Sequence, residues 1–83
     1  MAVPMKNTAR LQAAFARALH LEAEKVVDDL AYGKDWDSVA HMAIVAALES
    51  QFGIMLETTD VVDMSTVQKA KSILTKYGIV FEP

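Results

Sequence analysis

The sequence predicts an all-α domain: a small bundle of three main helices and one short helix, with a long first loop. Two observations carry that expectation. Apolar residues recur at three- and four-residue spacing in three separate stretches, and no two alternating stretches flank a turn as a β-hairpin would require. A chain of 83 residues reads as one domain over 1–83. At that size a domain buries only about 60–65% of its unfolded surface, so its core is small.

The first helix is expected over about 7–19. Asn7 or Thr8 suits its leading amides as a cap, and Leu11, Phe15 and Leu19 form one stripe with Ala14 and Ala18 beside it. Gln12 and Arg17 fall outside the stripe. The helix fades near His20, a surface residue at the end where positive charge is favourable. Residues 21–36, "LEAEKVVDDLAYGKDW", are irregular: Leu21, Val26, Leu30 and Tyr32 peg a long loop to the bundle, with room for one helical turn at 23–29. Asp28 and Asp29 read as a solvated pair, and Gly33 suits a positive φ that ends the segment.

The second helix is expected from Ser38 to Phe52, stopped by Gly53. Met42, Val45, Leu48 and Phe52 define a face that Val39, Ile44 and several alanines widen; His41, Glu49, Ser50 and Gln51 are its polar residues. "TTDVVDM" leaves space for a short helix at 59–63 with Thr59 as cap. "STVQ" then opens a last helix over 65–77 in a capping-box pattern, Ser65 at the N-cap and Gln68 at N3. Val67, Ala70, Ile73, Leu74 and Tyr77 form its buried side, Gly78 closes it, and "IVFEP" follows as an extended apolar tail that packs back or serves as a contact.

Composition narrows the function classes. The chain is 53% hydrophobic and 23% charged, as expected of a globular domain, and its net charge is −3 with no basic block. Nucleic acid is therefore not expected as a partner. There is no cysteine, hence no disulfide framework, thiolate zinc site or cysteine nucleophile. His20 and His41 make no metal-ligand spacing with the carboxylates. The apolar run "MAIVAAL" is too short to insert in a membrane, and "MAVPMKNTAR" lacks the hydrophobic stretch of a secretory signal, so the expected location is cytoplasmic.

One stretch raises a chemical question. "GKDWDSVAHM" sets Ser38 at the junction between an acidic, aromatic turn and an apolar helix. Asp37, Ser38 and His41 contain the residue types of a hydrolytic triad, but a working one needs an oriented base, an oxyanion hole and an acyl site, which so small a domain does not readily enclose. A plain N-cap is the commonest use of such a serine. A helix N-terminus also favours phosphate, whose charge meets unpaired N–H groups and the positive end of the dipole.

"DWDSVAHMAIVAALESQFGI", followed by "DVVDMSTV" and a final helix, resembles the acyl carrier and peptidyl carrier family over most of the chain. Asp37-Ser38-Val39 matches the family's Asp-Ser-Leu attachment motif with Val in place of Leu. The triplet alone is weak; combined with "ALESQFGI" at the right distance and the capped last helix it is specific. The flanks look like those of small stand-alone carriers and carriers of modular synthases. The resemblance implies an acyl-carrier-like bundle with no catalytic activity of its own. It implies that Ser38 is esterified with 4′-phosphopantetheine from coenzyme A, whose thiol then holds an acyl or aminoacyl group. It implies a phosphopantetheinyl transferase as partner, with Asp37 helping that enzyme recognise the site, and further partners that load and transfer the acyl group onto an otherwise monomeric chain. Docking would fall to Trp36, Val39, Ala40, His41, Met42 and Ala43, with His41 facing solvent beside the arm. Trp36 has a second expected use, packing the loop end against the bundle.

The chain also departs from the family. Fatty-acid-synthase carriers bear a strongly acidic second helix; here the corresponding positions are Ala40, Ala43, Ser50 and Gln51, with only Glu49 retained. Electrostatic steering is reduced, so docking is expected to rest on apolar contact and to serve one or a few partners in a specialised pathway. Phe15, Leu19, Leu48 and Ile73 would line any enclosed acyl chain, but a close-packed core with the cargo outside is favoured at this size. The alternative to a carrier is an unmodified interaction module that uses the second helix as its binding face.

Overall fold

A computed structural model describes residues 5–82. The start of "MAVPMKNTAR" and the final Pro83 lie outside the described residues. Four α-helices follow in order: α1 (Asn7–Leu19), α2 (Ser38–Phe52), α3 (Thr58–Asp63) and α4 (Val67–Thr75). Among the described residues the fold is all-helical, a small bundle of three longer helices and one short one. One 3₁₀ turn, Ala23–Lys25, stands in the long first loop. Among the described residues no helix is long and apolar enough to cross a membrane, and no cluster of side chains suits a metal ion.

The core forms where the helical stripes converge. Leu11, Ala14 and Phe15 from α1, Ile44 and Leu48 from α2, and Ala70 and Leu74 from α4 are fully shielded, with Met64 sealing the layer beneath α3. Of the residues proposed to line an enclosed chain, Phe15, Leu48 and Ile73 are buried in this core and Leu19 is partly buried against it. Truncating Phe15 to alanine would cost about 3–5 kcal/mol, against roughly 4–12 kcal/mol for a whole domain of this length.

Several caps differ from the sequence expectation. α1 takes its cap from the other end of the chain. Glu82 Oε1 accepts the Asn7 amide at 3.0 Å, while the Asn7 side-chain amide donates to the Val80 carbonyl at 2.8 Å and Thr8 Oγ1 to that of Glu82. The apolar tail thus packs back on the bundle, with Phe81 edge-on to Phe52 at 6.3 Å between ring centroids. α3 begins at Thr58 without a side-chain cap from Thr59. α4 starts at Val67, not Ser65: Thr66 adopts extended φ/ψ and its Oγ1 accepts the Lys69 amide at 2.9 Å. It ends at Thr75, short of Tyr77, in overlapping tight turns closed by Gly78 at φ 88°.

The long loop is held by backbone bonds more than by its apolar pegs. Leu30 and Asp28 carbonyls accept the Val67 and Gln68 amides at 3.1 and 3.0 Å, supplying the start of α4 with acceptors. Asp28 also pairs with Lys71 at 2.8 Å, so it is not simply solvated. Val26 is buried and Leu30 half-buried, whereas Leu21 and Tyr32 are exposed. His20 is exposed too, ending α1 in the left-handed region at φ 57°.

A buried acid ties α3 to α4. Asp60 is only 6% exposed; its carboxylate accepts from Lys76 Nζ at 2.5 Å and from the Tyr77 hydroxyl at 2.6 Å, while the Tyr77 oxygen accepts the Glu57 amide. The Lys76 hydrogen bond, then that of Tyr77, holds Asp60 below its ordinary 3.8. The bond to Asp60 likewise raises Lys76 above 10.5 and Tyr77 above 10.0. A depressed carboxylate contributes stability above its unfolded value and loses it as pH falls through the folded one. The two raised groups contribute below their unfolded values and lose it as pH rises through the folded ones. The cluster should therefore stabilise the fold between about pH 4 and pH 10. Asp60→Asn is expected to lower the urea midpoint at pH 7 and to flatten the acid limb of stability against pH; an unchanged acid limb would assign that loss to other carboxylates.

Candidate functional site

The approach to α2 is a tight, self-bonded turn. Ala31 N–H donates to Asp35 Oδ2 at 2.8 Å, Asp35 N–H to the Ala31 carbonyl at 2.8 Å, and Gly33 N–H to the Trp36 carbonyl at 2.8 Å. Gly33 sits at φ 88°, a region closed to most side chains. The turn delivers Trp36 inward, where it is 5% exposed and meets Phe15 edge-on at 5.8 Å. Asp37 follows in extended conformation as the N-cap, its Oδ1 accepting the Ala40 amide at 2.9 Å. Ser38 is then the first helical residue and is exposed.

The plain N-cap reading of the serine fails: Asp37 caps α2, and Ser38 does not. Both residue types cap well, and the extended backbone falls one residue earlier than the hydroxyl. The Ser38 hydroxyl is left free of that duty at the amide-bearing end of a 15-residue helix. The Asp37 carboxylate already answers part of the positive end of the dipole. A phosphate on Ser38 would share that end with an acid, so its electrostatic welcome is smaller than a bare helix terminus would give.

A second correction concerns His41. It is 9% exposed, not solvent-facing. Its Nδ1 accepts from Trp36 Nε1 at 3.0 Å and its Nε2 meets the Val61 carbonyl at 2.7 Å. A buried indole N–H needs an acceptor, and His41, one turn into α2, is placed to supply it. With both ring nitrogens engaged elsewhere, His41 offers Ser38 no base, which removes the hydrolytic triad. Trp36 and His41 accordingly leave the docking face. Burial of His41 in turn rotates Met42 outward, to 58% exposure beside Val39 at 79%. Ala43 is exposed and Ala40 half-buried. The inward face of α2 is His41, Ile44, Val45 and Leu48.

Glu49, the one acid retained on α2, is also spoken for. Its Oε2 accepts the Leu56 amide at 2.9 Å and supports the α2–α3 connection. Beside Ser38, an apolar groove of about 380 Å³ runs between α2 and α3. Tyr32, His41, Met42, Val61, Val62 and Met64 form its walls, with the Ser38 and Ser65 hydroxyl residues at its edges. Beyond their apolar character in and just after a short helix, nothing local marks Val61, Val62 and Met64 as a groove wall.

Ser38 thus stands exposed at the start of the longest helix of the bundle, next to an apolar groove. Residues 9–71 match the family described as phosphopantetheine attachment site, and the chain belongs to that family, the acyl and peptidyl carriers. No curated protein matches the chain. Members of the family are carriers without catalytic activity, bear covalently attached 4′-phosphopantetheine, and interact with phosphopantetheinyl transferases and biosynthetic enzymes. The site fits such a group: the hydroxyl is accessible and the adjoining groove is largely apolar.

The hydrogen bond and the charge of Asp37 separate by substitution. Asp37→Ala is expected to cost about 0.5–2 kcal/mol in urea unfolding, whereas Asp37→Asn keeps an accepting oxygen and should cost a few tenths at most, about 0.3 kcal/mol. Equal losses in the two variants would show that the charge, and not the hydrogen bond, is what α2 requires.

Proposed function

We propose that Ser38 is the attachment residue and that the chain carries acyl or aminoacyl groups for a specialised biosynthetic pathway. The exposed Ser38 hydroxyl, held at the head of α2 and free of the capping bond, is the observation that supports this most. In the attachment step a transferase binds the α2 end, and Ser38 Oγ displaces the nucleotide portion of coenzyme A at phosphorus. The hydroxyl proton leaves to the enzyme as the new oxygen–phosphorus bond forms. Once in place, the arm supplies a terminal thiol for thioester chemistry. What the chain itself does is hold Ser38 outward, keep Asp37 beside it for recognition, and offer the groove wall of Met42, Val61 and Val62.

The exposed face of α2 favours partners that dock through apolar contact. Val39, Met42 and Ala43 lie open, Ala40 partly so, and Glu49 spends its charge inside the fold. Steering by long-range charge is correspondingly weak. A cytoplasmic, monomeric carrier loaded by dedicated enzymes fits these features. The same open face also suits an interaction module that never receives the arm, and the modification experiment decides between the two.

Incubating the domain with coenzyme A, Mg²⁺ and a broad-specificity transferase should add one phosphopantetheine by intact mass, and Ser38→Ala should show none. No gain with several transferases would favour the interaction module. Val39→Glu is expected to raise the transferase KM for the domain roughly tenfold with little change in kcat, the scale of losing one apolar anchor. A transferase KM that climbs steeply with salt for the unaltered domain would instead mark charge as the docking force.

A further inference from the structure

His41 has its protonation state written into its surroundings. An indole N–H only donates, so Nδ1 must accept and carry no proton; a carbonyl only accepts, so Nε2 must carry the proton it shares with Val61. The bonded form is the neutral Nε2–H tautomer. A second proton would enter at Nδ1 and set one N–H against another, so protonation and the Trp36 bond exclude each other. The Val61 bond survives, because the imidazolium still donates through Nε2. The two partners therefore respond differently to acid: α3 stays held, while Trp36 loses its acceptor.

We propose that His41 is a pH-sensitive positioning residue that, when neutral, latches the loop end at Trp36 to α2 and, when protonated, releases Trp36 and the segment leading into Ser38 while α3 remains in place. Trp36 stands two residues before Ser38, so the latch sets how firmly the attachment serine is presented. The groups around the imidazole are few. Tyr32 from the loop packs edge-on at 5.3 Å, and α1 reaches the pair through Phe15, which touches Trp36. On α2 the near titratable group is Asp37, whose carboxylate holds the Ala40 amide. On α3, Asp60 is engaged by Lys76 and Tyr77, and Asp63 is exposed. The latch goes beyond the carrier reading and is tested on the unmodified chain, so its failure leaves that reading untouched.

Trp36 is the single tryptophan, which makes its emission a direct readout. As the pH is lowered from neutral into the mildly acidic range, the emission should shift to the red and become more open to acrylamide. Helical circular dichroism should hold constant over the same range. Protection of the Gly33 amide, bonded to the Trp36 carbonyl, should fall about tenfold, the scale of one lost buried hydrogen bond. Protection of the Val61 amide should not fall. His41→Gln, which offers one acceptor and one donor at all these pH values, should abolish the transition. If that variant does not fold, ¹⁵N spectra of the native imidazole serve instead, with Nδ1 expected unprotonated at neutral pH. A proton on Nδ1 at neutral pH, a flat emission profile, the same transition in His41→Gln, or emission and helicity lost together would each overturn the proposal.

Discussion

The buried indole of Trp36 constrains the whole functional end of the molecule. Packed on Phe15, it contributes apolar surface to the core, but its N–H has to find an acceptor away from water. His41 provides one, and meeting that need turns α2 so that His41, Ile44, Val45 and Leu48 point inward. Everything that matters at the surface follows from this rotation. Ser38 comes to the edge of the groove, and Val39 and Met42 face outward. Through its other nitrogen His41 reaches α3, whose far side is pinned by Asp60 to Lys76 and Tyr77. The groove wall is thus suspended between two polar contacts.

Much of the helical framework was legible because it depends on local chemistry. The stripe Leu11, Phe15 and Leu19, the serine at the entry to α2, and the glycines after α2 and α4 all announce themselves within a few residues. Caps were less legible. In "DWDS" and "MSTV" two adjacent residues are both competent to cap, and the choice between Asp37 and Ser38, or between Ser65 and Thr66, depends on which backbone is extended. The orientation of α2 was hidden for a different reason. With apolar residues on nearly every side it has no dominant stripe, so nothing local says whether His41 or Met42 turns inward. Asp60 was unreadable as a buried acid because its partners, Lys76 and Tyr77, lie on another element. The capping of α1 by Glu82 joins the two ends of the described chain and has no local signature at all.

The site itself divides along the same line. The stretch Asp37-Ser38-Val39 is contiguous, and the resemblance of the sequence around it to carriers is matched by family membership. Its support is assembled from distant pieces: the turn around Gly33, the Trp36–His41 pair, and the apolar residues of α3. Glu49 illustrates how the pieces change a residue's meaning. In sequence it looks like the remnant of an acidic docking helix; in the fold it is a bracket for the Leu56 amide. Counting charges along α2 would overstate the negative potential that an approaching enzyme meets.

The return of the tail to α1 has a practical geometric result. Residues 79–82 come to rest near the start of α1 and the finish of α2, where Arg10 covers Phe52 and bonds the Gln51 carbonyl. Ser38 lies at the opposite end of α2, about 20 Å away at 1.5 Å per residue. Additions fused after Glu82 would therefore emerge on the pole remote from Ser38, whereas trimming the final few residues would strip the opening turn of α1 of the Glu82 carboxylate.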